Sequence, residues 1–194
     1  MNYIGLVRVA KRSLAIFKPQ LVDHGYRDGR IVNLTSASGL APCPVLAAYA
    51  ASKHAAESFS SSLRMELKSW PVAVVTVTPT FHRTPMIGAA AANMGKTFDR
   101  LDADTRAAYG GAPARASLVR EANQTVTTWA WRPERVVEAL ARAVVPGAAP
   151  ASTVEVGADA KYGILLLRWL PPAVREALTV HMIAPSAASM HPFH

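Results

Sequence analysis

Residues 72–77 read Val-Ala-Val-Val-Thr-Val, an uninterrupted run with Pro71 before it and Pro79 shortly after it. Side chains that branch at Cβ favour strands. A run that is apolar at nearly every position, rather than at alternate ones, is typical of a parallel strand covered on both faces. We therefore predict a buried parallel strand over this stretch.

A second strand is predicted earlier in the chain, over residues 30–35, which read Arg-Ile-Val-Asn-Leu-Thr. Between the two strands, residues 47–68 contain no glycine or proline and predict one long helix. Two strands joined by a helix of this length imply a right-handed parallel crossover. The fold class that follows is α/β, a parallel sheet with flanking helices.

The remaining elements extend this pattern in both directions. Apolar residues at helical spacing predict a helix over residues 2–17, ended by Pro19. Further predicted elements are a polar loop at 24–29, a helix at 133–144, a third strand at 153–156 and a last helix at 172–181. Residues 80–130 predict loops and short helices of the kind that often cover a site. We expect one domain over residues 1–194, with a flexible tail at 186–194.

Composition excludes several classes of protein. A hydrophobic fraction of 51% with 18% charged residues excludes a disordered chain. The net charge is +8, but the basic residues are scattered and only Lys11-Arg12 are adjacent. A solvated surface explains this charge, and we expect no nucleic-acid partner. Cys43 is the single cysteine, which excludes an internal disulfide and a cysteine zinc site, and we expect no metal.

Membrane attachment is expected to be peripheral at most. No window of 18 uninterrupted apolar residues occurs, and the apolar stretch 162–174 is broken by Arg168. Arg168 and Arg175, near apolar residues, would suit anionic lipid, although ordinary amphipathicity explains them equally well. A lone cysteine fits a reducing compartment. These features favour a cytoplasmic or membrane-peripheral, intracellular protein.

The side chains that are candidates for catalysis lie within residues 36–53. Tyr49 and Lys53 are four residues apart, which places both on one face of the predicted helix. An ammonium near a phenol stabilises its ionised form and makes it a candidate acid/base for a hydroxyl or carbonyl. Ser36 follows the predicted strand at its carboxyl end, where open α/β sheets bind ligands. The alternative is an ordinary surface pair of tyrosine and lysine.

The spacing of these residues resembles that of the short-chain dehydrogenase/reductase family. The family's Tyr-x-x-x-Lys motif falls on Tyr49 and Lys53, and its catalytic serine, thirteen residues before the tyrosine, falls on Ser36. Ser38 lacks that spacing and is assigned to the loop or the substrate side. Three further segments extend the resemblance: Asn2 in the first helix, Gly29-Arg30-Ile31-Val32-Asn33 before the serine, and Pro79 to Thr84, where Thr80 replaces the glycine of the family's Pro-Gly-x-x-x-Thr loop.

The resemblance implies an NAD(P)-dependent oxidoreductase that interconverts a secondary alcohol and a ketone. Tyr49 would exchange the hydroxyl proton, Lys53 would bind the nicotinamide ribose, Ser36 would hold the substrate oxygen and Asn2 would position a water. Pro79 and Thr84 would contact the nicotinamide end of NAD or NADP. Residues 98–110 and 157–171 resemble the retinol and hydroxysteroid dehydrogenases, which implies a small lipophilic retinoid, steroid or hydroxy-acid-like substrate.

The sequence lacks the glycine-rich turn that a dinucleotide-binding fold is expected to have. No glycine-rich turn of the Gly-x-Gly-x-x-Gly kind, which lets backbone N–H groups reach a pyrophosphate, occurs in the sequence. By resemblance the chain corresponds to the C-terminal catalytic half of a Rossmann-like fold, and we expect a fragment that binds cofactor poorly. The alternative is an inactive interaction form. The resemblance implies a homodimer, or pairing with a full-length family member, through the two long helices.

Overall fold

The computed structural model describes residues 2–25, 28–42, 44–145 and 150–183. The strands are β1 (Gly29–Leu34), β2 (Val72–Pro79) and β3 (Thr153–Val156). The helices are α1 (Asn2–Asp23), α2 (Ala47–Glu66), α3 (Pro85–Gly88), α4 (Ala90–Asp99), α5 (Ala103–Ala108), α6 (Gly111–Trp129), α7 (Glu134–Val144), α8 (Leu165–Trp169) and α9 (Pro172–Ile183). A 3-10 turn covers Ala37–Gly39 and a π-helical segment covers Asp159–Ile164. Cys43 and the predicted tail at 186–194 lie outside the described residues.

The three strands form one parallel sheet in the order β1-β2-β3. In the register, Ile31 pairs with Val74 and Val77 pairs with Val154. Helix α2 makes the connection from β1 to β2, as the two apolar runs and the helix between them predict. The predicted α/β class and parallel sheet are therefore confirmed.

Side chains of β2 alternate between two apolar clusters, one on each face of the sheet. On one face, Val72 and Val74 pack with Leu63 and Leu67 at the end of α2 and with residues of α1. On the other face, Val75 and Val77, both 0% exposed, pack with alanines of α7 and with β3. Each fully buried valine contributes about 1.5–3 kcal/mol. Cover on both faces explains why this strand is apolar almost throughout.

Polar contacts also hold α2 on the sheet. The Arg64 guanidinium donates to the carbonyl oxygens of Val74 and Ser152, both at 2.8 Å. Beneath the helix, Asn33 Nδ2 donates to Ser60 Oγ at 2.8 Å, and both residues are buried. Buried polar groups of this kind require partners, so these bonds define how α2 sits on β1 and β2.

The first helix is longer than the sequence predicts. Helix α1 continues through Pro19 to Asp23, whereas the sequence predicts that it ends near residue 17, before the proline. A proline inside a helix loses one hydrogen bond and crowds the preceding turn. Leu14, Phe17 and Leu21 nevertheless all pack against the buried cluster on the α1 and α2 face. We attribute the longer helix to this burial, which outweighs the local preference.

The chain forms two compact units, the first comprising residues 1–42, 46–80 and 134–168 and the second 43–45, 81–133 and 169–194. The first holds the sheet with α1, α2 and α7. In the second, α4 packs against α6, and Asp99 accepts two bonds from Arg115 at 2.6 and 2.7 Å. The sequence predicts loops and short helices over residues 80–130, but α6 has 19 residues. Pro113 is tolerated because it lies in the first turn of α6. The single domain over 1–194 stays a prediction.

Candidate active site

Tyr49 and Lys53 lie on successive turns at the beginning of α2. The Lys53 ammonium is 5.7 Å from the centroid of the Tyr49 ring. Helix α2 begins at Ala47, and the uninterrupted helix that follows carries both side chains on one face. The ring and the ammonium are therefore close enough to interact electrostatically.

The Lys53 side chain reaches back to the end of the neighbouring strand. Its ammonium donates to the carbonyl oxygen of Leu34, the last residue of β1, at 3.2 Å. Burial lowers the pKa of Lys53 below the ordinary value of 10.5, and the negative charge of Glu57 opposes this in part. The site therefore holds a partly desolvated cation at the carboxyl end of β1.

Ser36 follows β1 and is buried. Its backbone is extended, and its Oγ accepts a bond at 3.2 Å from the N–H of Ser38, capping the 3-10 turn. Ser38, which the sequence assigns to the loop or the substrate side, thus contacts Ser36 through its backbone. The hydroxyl proton of Ser36 is not used by this cap.

Gly39 brings this turn into close contact with α2. A Cβ placed on Gly39 would lie 2.8 Å from the carbonyl oxygen of Lys53 and 3.1 Å from Glu57 Cγ. A glycine is needed here for close approach, not for backbone freedom. This contact is a feature that sequence reasoning missed, because it joins residues fourteen positions apart.

Asn2 is the first residue of α1 and contacts α2. Its Nδ2 donates to Ser52 Oγ at 3.3 Å, and Ser52 Oγ donates to the carbonyl oxygen of Tyr49 at 2.7 Å. The structure therefore connects Asn2 to the backbone of Tyr49 through one serine. The predicted role of Asn2 in positioning a water stays a prediction.

The two predicted nicotinamide contacts are in different units. Pro79 is the last residue of β2 in the first unit. Next to it, Thr80 Oγ1 donates to Asp159 Oδ1 at 3.0 Å, so the residue that replaces the family's glycine binds a carboxylate. Thr84 is in the second unit, where its Oγ1 accepts from the N–H of Ile87 and caps α3. Their contacts with a cofactor stay predictions.

Glu57, whose carboxylate lies close to Lys53, was not identified from the sequence. Glu57, one turn after Lys53 on α2, accepts hydrogen bonds from the hydroxyls of Thr35 and Thr78. Both threonines are buried. A glutamate four residues after the lysine, and a threonine at the end of each strand, were the signals that could have found this cluster.

Two negative findings apply to the described part of the chain. Within residues 2–25, 28–42, 44–145 and 150–183, no group of three or more His, Cys, Asp or Glu side chains is placed to hold a metal ion. In the same ranges, no helix combines the length and apolar character needed to cross a membrane. The expected absence of a metal stays a prediction.

Comparison with known proteins agrees with the motif. Residues 1–95 match the sequence model of the family described as short chain dehydrogenase. Estradiol 17-beta-dehydrogenase 2 of Mus musculus is 36% identical over 89 residues, which are 46% of this chain and 22% of that protein. Short-chain dehydrogenase/reductase family 9C member 7 of Mus musculus is 28% identical over 184 residues, covering 91% of this chain and 54% of that protein. The chain therefore spans about half or less of these curated relatives.

Solved structures show the same similarity. A variant of actinorhodin polyketide ketoreductase with NADPH matches with a TM-score of 0.57 and 27% identity, covering 84% of this chain and 57% of that chain. A short chain dehydrogenase from Burkholderia cenocepacia in complex with NADP has a TM-score of 0.50 and 22% identity, which is a likeness of fold alone. Together these matches confirm the predicted Rossmann-like α/β class.

Proposed function

We propose an oxidoreductase function for this chain, which belongs through its residues 1–95 to the short-chain dehydrogenase/reductase family. The reaction is the NAD(P)-dependent interconversion of a secondary alcohol and a ketone. The observation that carries the proposal is the position of Tyr49 and Lys53 on successive turns of α2, with Lys53 bonded to the carbonyl that ends β1. Ser36 is two residues further along the same segment.

The proton chemistry follows from the three side chains. Tyr49 would give a proton to a carbonyl oxygen, or take one from a hydroxyl. Positive charge on Lys53 stabilises the phenolate that remains after the proton has left. Ser36 donates its hydroxyl hydrogen to the substrate oxygen and orients it, while Asn2 is proposed to hold a water that returns the proton. A nicotinamide, when bound, supplies or accepts the hydride.

The donor set at this site suits the ribose of a nicotinamide cofactor. Lys53 carries three N–H donors, and the one described bond, to Leu34, uses one of them. The partly buried ammonium can therefore donate to ribose hydroxyls without losing that bond. We propose that Lys53 and Tyr49 hold the ribose of NAD or NADP, and that Pro79 and Thr84 contact the nicotinamide.

Affinity for the cofactor is expected to be weak in the 194-residue chain. Its residues contain no glycine-rich turn to bind a pyrophosphate, so only the nicotinamide end would be held. Calorimetric titration with NADH and with NADPH measures this directly. Micromolar binding of either dinucleotide would contradict the expectation, whereas millimolar or weaker binding agrees with it.

A small lipophilic alcohol or ketone is the proposed substrate. Similarity to an estradiol 17-beta-dehydrogenase favours a steroid within the broader group of steroids, retinoids and hydroxy acids. The test is a panel of ketosteroids, retinals and short keto acids assayed with NADPH and with NADH. Tyr49→Phe is the matched control, because it removes one hydroxyl and leaves the ring. Equal turnover by the chain and by this variant would exclude the proposed chemistry.

A second candidate is a non-catalytic protein that pairs with itself or with a full-length family member. Exposed apolar side chains on α1 favour it, since Ile4, Val9 and Ile16 are each at least half exposed. Burial of such side chains drives association. Size-exclusion chromatography of the short chain, alone and mixed with a full-length relative, gives the test. Association without turnover supports this function, and turnover by the short chain alone supports the enzyme.

Contact with a membrane surface is proposed to be peripheral. Helix α9 exposes Val174, Leu178 and Met182, spaced four residues apart on one face. Such a stripe inserts shallowly into a bilayer, and the net charge of +8 favours anionic lipid. Co-sedimentation with phosphatidylserine vesicles, compared with phosphatidylcholine vesicles, tests this. Leu178→Ser should reduce the bound fraction, and an unchanged fraction would exclude α9 as the contact.

A further inference from the structure

The Glu57 carboxylate joins α2 to the ends of two strands. Its Oε1 accepts a hydrogen bond from Thr35 Oγ1, directly after β1, and one from Thr78 Oγ1 in β2 at 3.1 Å. The two hydroxyl oxygens are themselves 3.1 Å apart. Both threonines are almost fully buried, with 2% and 0% of their surfaces exposed. One carboxylate oxygen therefore serves two buried hydroxyls.

The carboxylate gives both hydroxyl protons a charged acceptor. Thr35 and Thr78 have one hydroxyl proton each, and an ionised glutamate only accepts. Bonds from both hydroxyls to Glu57 satisfy both donors with charge-assisted bonds, which are stronger than bonds between neutral groups. Without the carboxylate, the two hydroxyls are left with each other and with the carbonyl oxygen of Val77, which Thr35 also approaches at 3.1 Å.

The same cluster adjoins Lys53 and Ser36 along the chain. Thr35 lies between Leu34, whose carbonyl accepts from Lys53, and Ser36. Thr78 immediately precedes Pro79, and Lys53 is one helical turn before Glu57. Any shift of the Glu57 carboxylate would therefore move the segment that carries Ser36 relative to the helix that carries Lys53.

Charge gives Glu57 a second effect on Lys53. Burial lowers the pKa of Lys53, and the negative charge of Glu57 raises it in part. Tyr49 is another titratable group near the ammonium, and the strand end facing it contributes the neutral carbonyl of Leu34. Glu57 therefore provides the compensating charge for this partly buried cation.

We propose, on the basis of the proposed function, that Glu57 is a positioning residue of the site. Its carboxylate holds the ends of β1 and β2 against α2 and compensates the charge of Lys53. It acts through Thr35, Thr78 and Lys53, without contact with the reacting atoms.

The test uses Glu57→Gln, which keeps the length of the side chain and removes its charge. Nuclear magnetic resonance of lysine side chains, with Lys53→Arg for assignment, measures the titration of Lys53 in the full chain without cofactor. The variant should lower the pKa of Lys53 further and shift the Ser36 amide resonance. Its Tm should fall by about 3–8 °C. Glu66→Gln, an exposed change at the end of the same helix, should alter none of these.

Two further variants separate charge from packing. Thr78→Val removes one hydroxyl and keeps Glu57, so Tm should fall while the pKa of Lys53 stays as in the parent chain. Glu57→Asp keeps the charge but withdraws it by one methylene, so the Ser36 amide should shift even if Glu57→Gln does not fold. An unchanged Lys53 titration in Glu57→Gln, or an unchanged Ser36 amide in Glu57→Asp, would overturn the proposal. Neither readout depends on turnover, so failure of the proposed enzyme activity would be seen separately.

Discussion

Replacement of Gly39 with alanine should destabilise the protein and loosen the turn that carries Ser36. The added Cβ would lie 2.8 Å from the carbonyl oxygen and 2.9 Å from the carbonyl carbon of Lys53, and 3.1 Å from Glu57 Cγ. Real Cβ contacts essentially never fall below 3.0 Å. Because the Lys53 atoms belong to the helix backbone, the turn has to move away from α2.

The expected loss of stability combines two opposing effects. Overpacking of a close contact costs about 1–3 kcal/mol. Alanine also restricts the unfolded chain more than glycine does, and that effect stabilises by about 0.4–1 kcal/mol where the backbone angle is allowed. Gly39 does not have a positive φ angle, so the second effect applies in full. The net loss should be about 1–2 kcal/mol.

Urea unfolding followed by circular dichroism measures this difference. With a slope near 2 kcal/mol per molar urea, the midpoint of Gly39→Ala should fall by about 0.5–1 M. Gly5→Ala is the control, because a Cβ on Gly5 meets nothing within 4 Å and the residue lies inside α1. That variant should be stabilised by about 0.5–1 kcal/mol. A Gly39→Ala protein as stable as the parent chain would refute the close contact.

Three further predictions follow from the same unit. In any form of the protein that turns over a substrate, Tyr49→Phe should lower kcat by several orders of magnitude and leave the circular dichroism spectrum unchanged. Turnover at the parent rate would remove Tyr49 from the mechanism. Lys53 binds its proton less tightly in the folded than in the unfolded chain. The free energy of unfolding of the parent, relative to that of Lys53→Met, should therefore rise with pH from the lowered pKa up to about 10.5. Urea unfolding across that pH range measures the difference, and a difference that is flat or falls with pH would contradict the prediction. Arg64→Ala should lower the free energy of unfolding by about 1–3 kcal/mol, because its guanidinium donates to two carbonyl oxygens of the sheet region. The control Arg142→Ala removes an exposed ion pair and should lower it by less than about 0.5 kcal/mol. Equal losses in thermal unfolding would show that the Arg64 bonds contribute little.

The local sequence pattern was sufficient to predict the parallel sheet and the pair formed by Tyr49 and Lys53 at its edge. The apolar run at 72–77 predicts a doubly covered strand, and β2 is buried by α2 on one face and α7 on the other. The four-residue spacing of Tyr49 and Lys53 predicts neighbouring side chains on a helix, and the two groups are 5.7 Å apart. Both inferences succeed because they depend on local backbone geometry: a strand covered on both faces is apolar nearly throughout, and residues four apart lie on one face of a helix.

Three features needed the tertiary structure. Helix α1 passes Pro19, and its side chains Leu14, Phe17 and Leu21 pack against apolar residues that are distant in the chain. The contact of Gly39 with Lys53 and the bonds of Glu57 to Thr35 and Thr78 join residues that are 14 to 22 positions apart in the chain.

The amino-acid sequence by itself thus determined the layered class of the protein and the residues that could act as acid, base and positive charge. Only the tertiary structure decided which groups surround them. Local spacing specifies a helix face, whereas a close approach or a shared proton acceptor depends on how the helix and the strand ends meet in space, which no short stretch of sequence encodes.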